Sequence, residues 1–393
     1  MPNQLIFNAR VVTELEVIED GFVHHCEGQI LYTGRAEELA DYVSGSDVVP
    51  FEEQIDAQGS WLLPGFIDVH VHGGSGCDFM NATQQALDTI TAFHARHGTT
   101  AMLATTVTAP RSDLEQVLIA VSQYQRSAMP YAQLLGVHLE GPFISPRWPG
   151  AQNPSHITLP QREWLEDWHE RYAGLVRIVT LAPEREGALE LIAWLRDQQI
   201  VPACGHTDAS YAEIEAAVRA GLTHAAHAFN AMKPLHHREP GTVGAVLTDD
   251  SISTEVIADG HHVHPAAIQL LVRMKQPHHL LLITDAMSAA GLGDGTYDIG
   301  GLPVTVQEGV ARLTSNGSLA GSTLTMIDAY RYLVQQIGVS FVEASRFASM
   351  NPARLLHLEH RLGSIAKGKQ ADLLVMNDAF ELQRVWCQGN QIF

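Results

Sequence analysis

Eight short runs rich in β-branched and apolar residues recur between residues 66 and 284, with helix-patterned segments between them. The runs are Phe66 to His70, Thr99 to Thr106, Leu134 to Leu139, Val176 to Leu181, Ile200 to Cys204, His224 to Ala228, Thr254 to Ala258 and Leu280 to Thr284. Helical spacing of apolar residues marks Gln84 to Arg96, Leu114 to Arg126, Ala188 to Asp197, Tyr211 to Ala220 and Pro265 to Met274. Strand and helix alternating through eight strands predict an α/β chain folded as a (β/α)8 TIM-like barrel. A doubly wound open sheet is the competing arrangement, but no G-x-G-x-x-G turn follows the first run.

The two ends differ from the middle. Residues 1–60 and 360–393 read as short strands and turns, with a hairpin signal at Gly389-Asn390. They predict one small β-sandwich domain built from both termini, flanking a barrel of residues 61–359. A formal net charge of -20 argues against nucleic acid or an anionic membrane as partner, since both need a positive footprint. The opening Met1 to Phe7 lacks a basic stretch followed by an apolar one, and no apolar run approaches the roughly 20 residues of a spanning helix. A cytoplasmic protein is expected. Cys26, Cys77, Cys204 and Cys387 show no C-x-x-C spacing and read as reduced thiols.

Active sites of barrels lie at the C-terminal ends of the strands, so polar residues closing an apolar run carry the functional signal. The first run leads into Asp68-Val69-His70-Val71-His72-Gly73-Gly74, where alternation places Asp68, His70 and His72 on one face. Alone this H-x-H pair is weak: 21 histidines in 393 residues give about one such pair by chance, and His262 and His264 form another. Other strand ends agree with it, however. They carry His138-Leu139-Glu140, Gly205-His206-Thr207, His227 to Met232, and Thr284-Asp285. Histidine, glutamate and aspartate together suit zinc or a similar divalent ion in a hydrolytic site. His236, His237, His261 and His264 are expected to face solvent or an interface, and His24, His25, His278 and His279 to lie at the surface.

The motifs PGFIDVHVHGG (64–74), TTVTAP (105–110), HLEGPF (138–143), GHT (205–207), HAFNAM (227–232), HHREPG (236–241), ADGHHVHP (258–265), LITDAM (282–287) and LAGSTL (319–324) follow one another in order. In these the chain resembles the amidohydrolase superfamily, and within it the N-acetylglucosamine-6-phosphate deacetylase family, with the N-acetylgalactosamine-6-phosphate deacetylases close by. The resemblance implies hydrolysis of N-acetylglucosamine 6-phosphate to glucosamine 6-phosphate and acetate in amino-sugar catabolism. The galactosamine epimer is the alternative substrate. A catalytically inactive scaffold of the same superfamily is a remoter one, disfavoured because no expected ligand has been lost.

Carried over by resemblance, Glu140, His206 and His227 are the principal metal ligands and His70 with His72 a pair for a second ion, so one or two zinc ions are implied. Asp285 is implied as the catalytic carboxylate, with His138 behind the ligands. Ala151, Gln152, Asn230, Ala231, Arg238, His262, Leu319, Ala320 and Gly321 are implied to contact substrate. Asn230, the Ala231 backbone, Arg238 and His262 would take the phosphate end, with Arg238 near the interface of a homodimer. Gln152 stands where some members have a histidine; a neutral amide can donate a hydrogen bond but cannot shuttle a proton. Members that bridge two metals with a carboxylated lysine on the fourth strand are excluded, because Lys233, Lys275, Lys367 and Lys369 all lie elsewhere.

Overall fold

A computed structural model describes residues 2–45, 48–275 and 277–393. Eight parallel strands follow one another around a barrel in chain order: β1 (Phe66–Asp68), β2 (Thr99–Thr106), β3 (Gln133–Glu140), β4 (Val176–Leu181), β5 (Val201–Cys204), β6 (His224–Ala225), β7 (Ser253–Ile257) and β8 (Leu280–Ile283). The expected barrel is present. β1 and β8 share no ladder, and their seam closes just above the strands. There the Asp285 amide donates to the His70 carbonyl at 2.9 Å, the His72 amide to the Ala286 carbonyl at 2.8 Å, and the Thr284 hydroxyl to Asp68 at 2.5 Å. Asp68 is wholly buried there; burial pushes its carboxyl up to about 7 against the opposing hydrogen bond from Thr284.

Side-chain alternation explains the two cores. Leu281 and Ile283 join Ile67, Leu103, Ile178, Ala203 and Ile257 in a cluster inside the barrel, whereas Leu280 and Leu282 pack outward with Ile268 and Leu271 of the helix Pro265–Met274. The surrounding helices start where the chain offers a cap. Thr83 accepts from the Ala86 amide ahead of Gln84–Arg96, Ser210 and Glu213 form a capping box before Tyr211–Ala220, and His264 precedes Pro265.

Gln4–Val12, Val17–Cys26, Gln29–Arg35, Glu53–Asp56 and Trp61–Pro64 from the N-terminal side join Leu373–Met376, Leu382–Cys387 and Asn390–Gln391 in a separate mixed sheet. The hairpin expected at Gly389-Asn390 forms, pairing Cys387 with Asn390. Ile6, Val11, Val23, Leu62, Leu373 and Trp386 make this sheet's own core. His24 and His25 correct the surface expectation: both are buried in it, His24 bonded to Tyr42 and Asn3, because neighbouring strands and the Phe51 ring cover them.

A three-stranded antiparallel sheet, Gly295–Ile299, Leu302–Gln307 and Val310–Leu313, follows β8 and was not foreseen. Its inner residues Ile299, Val304 and Ala311 pack on Val107, Met287 and Ala320 at the barrel mouth. Among the described residues, no helix is long and apolar enough to cross a membrane.

Candidate active site

Six of the residues singled out by sequence converge at the C-terminal mouth of the barrel. Glu140, at the tip of β3, places Oε1 2.9 Å from His227 Nε2, 3.1 Å from His206 Nε2 and 3.3 Å from His70 Nε2. Its other oxygen lies 3.3 Å from His72 Nε2. Asp285 Oδ1 stands 3.1 Å from His72 Nε2 and 3.7 Å from His70 Nε2. All six are buried. Within this cluster His70, Glu140 and His227 form one group able to hold a metal ion, and His70, His72 and Asp285 another.

Local backbone directs these side chains. His206, His227 and Asp285 all take positive φ, 47°, 23° and 51°, in the residues just past β5, β6 and β8. Non-glycine residues adopt this conformation at a cost of about 1–3 kcal/mol each, and such strain concentrates at functional sites. The His206 ring is fixed by a 3.0 Å bond from Nδ1 to the Trp148 carbonyl, which leaves Nε2 as a lone pair facing Glu140. Gly150 permits that loop to close, since a Cβ there would stand 3.0 Å from His206 Cε1.

The electrostatics are those of carboxylates and imidazoles forced together. Burial would depress His70, but Glu255 and Glu140 hold it well above the ordinary imidazole range. Burial acts the same way on His72, yet hydrogen bonds to Asp285 and Glu140 push it up to about 10. In spite of their burial, Glu140 is held below the ordinary carboxylate range by His70, His206 and His227, and Asp285 by His72 and His70. His70 Nε2 has no hydrogen-bond partner although buried. A buried ring nitrogen without a hydrogen-bond partner, aimed at two anions, fits a site where a divalent cation replaces the ring's proton.

His138 is different. Its Nδ1 donates to the Val69 carbonyl at 3.0 Å and its Nε2 accepts from the Thr180 hydroxyl at 2.7 Å, so neither nitrogen is free for a metal. The nearby group of His70, His138 and Glu255 satisfies the distances for a metal but lacks the lone pairs. Burial and the neighbouring His70 push the His138 ring down to about 3, so it stays neutral.

Gln152 bridges two protein groups. Its Oε1 accepts from the Thr108 amide and its Nε2 donates to Glu140 Oε2, both at 2.6 Å. Ala151, Gln152, Asn230, Ala231, His262, Leu319 and Gly321 line a cavity of about 550 Å³ above the cluster, while Ala320 is fully buried behind it. Asp259 orients His262 through a 2.6 Å bond to Nδ1. Arg238 does not share this wall; it sits on an exposed loop, bonded to His237. Arg147 and Trp148, which the sequence reading passed over, do line the cavity, both tied to Asp208. A larger cavity of about 820 Å³ lies beyond Asn153 and Gly300, but none of the six clustered groups reaches it.

Glu255, mid-way along β7, is the other residue the reading missed. A lone carboxylate inside the apolar run Thr254 to Ala258 was its signal, because a buried charge must be paired.

The pattern defining the Amidohydrolase family matches residues 61–392. An N-acetylglucosamine-6-phosphate deacetylase of Bacillus subtilis is 41% identical over 99% of this chain and 97% of that protein. An N-acetylgalactosamine-6-phosphate deacetylase of Escherichia coli O157:H7 is 42% identical over 84% of this chain and 86% of that protein. A crystallised variant of the Mycobacterium smegmatis N-acetyl-D-glucosamine-6-phosphate deacetylase, in complex with N-acetyl-D-glucosamine-6-phosphate, superposes with a TM-score of 0.91 at 34% identity, covering 100% of this chain and 99% of that one. The chain therefore belongs to the amidohydrolase family, alongside its N-acetylhexosamine-6-phosphate deacetylases.

Proposed function

We propose that this protein hydrolyses the acetamide of N-acetylglucosamine 6-phosphate, releasing acetate and glucosamine 6-phosphate in amino-sugar catabolism. One observation carries the reading: His72, Glu140, His206, His227 and Asp285 meet at the floor of a single cavity at the barrel mouth, with His70 buried against Glu140 and Asp285. In this reading Glu140, His206 and His227 hold one zinc ion, and His70 with His72 provide for a second. When bound, a divalent ion lowers the pKa of water from 15.7 to about 7 and polarises a carbonyl.

The chain's own groups do the rest. Asp285 is an anion at neutral pH and faces the cavity, so it serves as the base that takes the proton of the attacking water. It returns that proton to the sugar nitrogen as the C–N bond breaks. Gln152 keeps the Glu140 carboxylate from turning. His262, Asn230 and the Ala231 backbone meet the sugar and its phosphate, and Arg238 completes that end from a second chain of a homodimer. A cytoplasmic setting belongs to the same reading and is supported by four free cysteines.

The galactosamine epimer is the second reading, favoured by the 42% identity to the Escherichia coli deacetylase of that sugar. Acetate release from both epimers by the zinc-loaded protein tests the two together. A higher kcat/KM on the glucosamine substrate is expected; no release from either would overturn the assignment.

A further inference from the structure

Glu255 has no exposure to solvent, yet it carries a full carboxylate into the wall of the barrel directly beneath the site. Three donors satisfy it. His70 Nδ1 donates at 2.8 Å and the His227 main-chain amide at 3.0 Å to one oxygen, and His224 Nε2 donates at 3.0 Å to the other. The far side of His224 is held in turn by the Ser253 hydroxyl at 2.8 Å. One anion on β7 thus grips the ring of a residue that follows β1 and the backbone of one that follows β6.

The first of these contacts has a chemical consequence. An imidazole that ligates a metal is neutral and carries one N–H, and a carboxylate at Nδ1 keeps that proton on Nδ1, so the lone pair lies on Nε2. This is the atom that faces Glu140 and Asp285 without a hydrogen bond of its own. Without the anion, the ring could carry its proton on Nε2 and present N–H to the place where a cation belongs. The contact to the His227 amide acts alongside, holding the backbone where its φ is 23°.

We infer that Glu255 is a positioning residue of the metal centre, acting through His70: it fixes the imidazole with Nε2 free and so sets how tightly the centre binds its ion at His70. The inference rests on the reading that His70 is a ligand.

The test is zinc binding by the whole chain, stripped of metal and titrated in competition with a chromophoric chelator. Carboxylates behind ligating histidines typically contribute about 10- to 100-fold in metal affinity. Glu255→Gln keeps the shape and removes the charge, so zinc affinity is expected to fall by about that factor at a temperature where both proteins are folded. Glu255→Asp, which keeps the anion but withdraws it by one methylene, is expected to fall between the two, and it serves if the glutamine variant does not fold. In a His70→Asn background the addition of Glu255→Gln should cost little further affinity, because the ring through which it acts is gone. A merely structural role would lower the melting temperature of the metal-free protein and leave zinc affinity unchanged; that result overturns the proposal, as does an equal loss in the His70→Asn background. A wild-type chain that takes up no zinc would overturn the functional reading itself, which the first titration reveals before any variant is compared.

Discussion

The Nε2 atoms of His206 and His227 stand 3.2 Å apart, and both face Oε1 of Glu140. Two lone pairs and an anion cannot share that space unless something positive lies among them. In the metal-free chain protons fill the role: burial would lower His227, but Glu140 raises it above the ordinary range, and His72 rises to about 10 for a similar reason. A divalent ion must displace these protons before it can use the nitrogens.

Metal uptake should therefore acidify a weakly buffered solution. At pH 7 zinc added to the stripped protein is expected to release at least about one proton per chain, read with a pH indicator, and apparent affinity should rise from pH 6 to 8. Uptake with no proton release would show that the histidines are already neutral without metal.

The same displacement predicts how the stripped protein responds to alkali. His72 has a folded-state value of about 10 against an ordinary 6.5, so its contribution to stability is fully present below the lower value and is lost as pH rises through the higher. The gap in melting temperature between zinc-loaded and stripped protein should widen between pH 7 and pH 10, because the loaded form has given up that proton already. A gap that narrows over this range would contradict the assignment.

Asp285→Asn removes the proposed base while keeping the shape. Loss of a general acid–base group costs roughly 10²- to 10⁴-fold, so kcat should fall by that factor. The site of Glu140, His206 and His227 remains, and elemental analysis should still find at least one ion per chain. Wild-type turnover would remove Asp285 from its role.

Gln152→Ala leaves the buried Thr108 amide unserved and takes from Glu140 Oε2 one of its donors, His72 remaining as the other. Unsatisfied buried groups cost about 1–3 kcal/mol, so the variant should unfold at lower denaturant and release zinc more readily as Glu140 gains freedom to turn. If stability and zinc affinity both hold, the amide is not an anchor, and a direct substrate contact becomes the better account.

Much of this was legible in the sequence. β2 and β4 occupy their expected spans, and the helices Gln84–Arg96, Ala188–Asp197, Tyr211–Ala220 and Pro265–Met274 do so too, because periodicity and local chemistry agree there. The strands fell short of expectation where function intrudes. β6 was expected to reach Ala228 and stops at Ala225, since His227 turns into the left-handed region and leaves the ladder; β1 stops at Asp68 rather than His70. The sheet of Gly295 to Leu313 did leave a period-two trace, since Leu302–Gln307 alternates with Val304 and Val306 buried, but its three strands are short and were passed over. Contacts between strands distant in sequence, such as Glu255 with His70, are set by barrel closure and leave no local trace beyond an oddly placed charge.

The phosphate end supplies the last prediction. A sugar phosphate is close to a dianion at pH 7, since its second pKa is about 6, and a chain of net charge -20 must place cations against it. Among the described residues Arg147 is the one Lys or Arg on the cavity wall, and its guanidinium is already bonded to Asp208 at 2.7 Å. Arg238 lies off the wall of its own chain, and in the proposed homodimer it reaches the phosphate from the second chain. Loss of a charged hydrogen bond, about 1.5–3 kcal/mol, should raise KM roughly tenfold or more for Arg238→Ala on the phosphorylated sugar, with little change on the unphosphorylated one. If the proposed homodimer supplies Arg238, wild-type selectivity for the phosphorylated sugar should fade on dilution to a monomer. If Arg147→Ala shows the larger selective loss and dilution has no effect, the phosphate is held within one chain, and the role given to Arg238 fails.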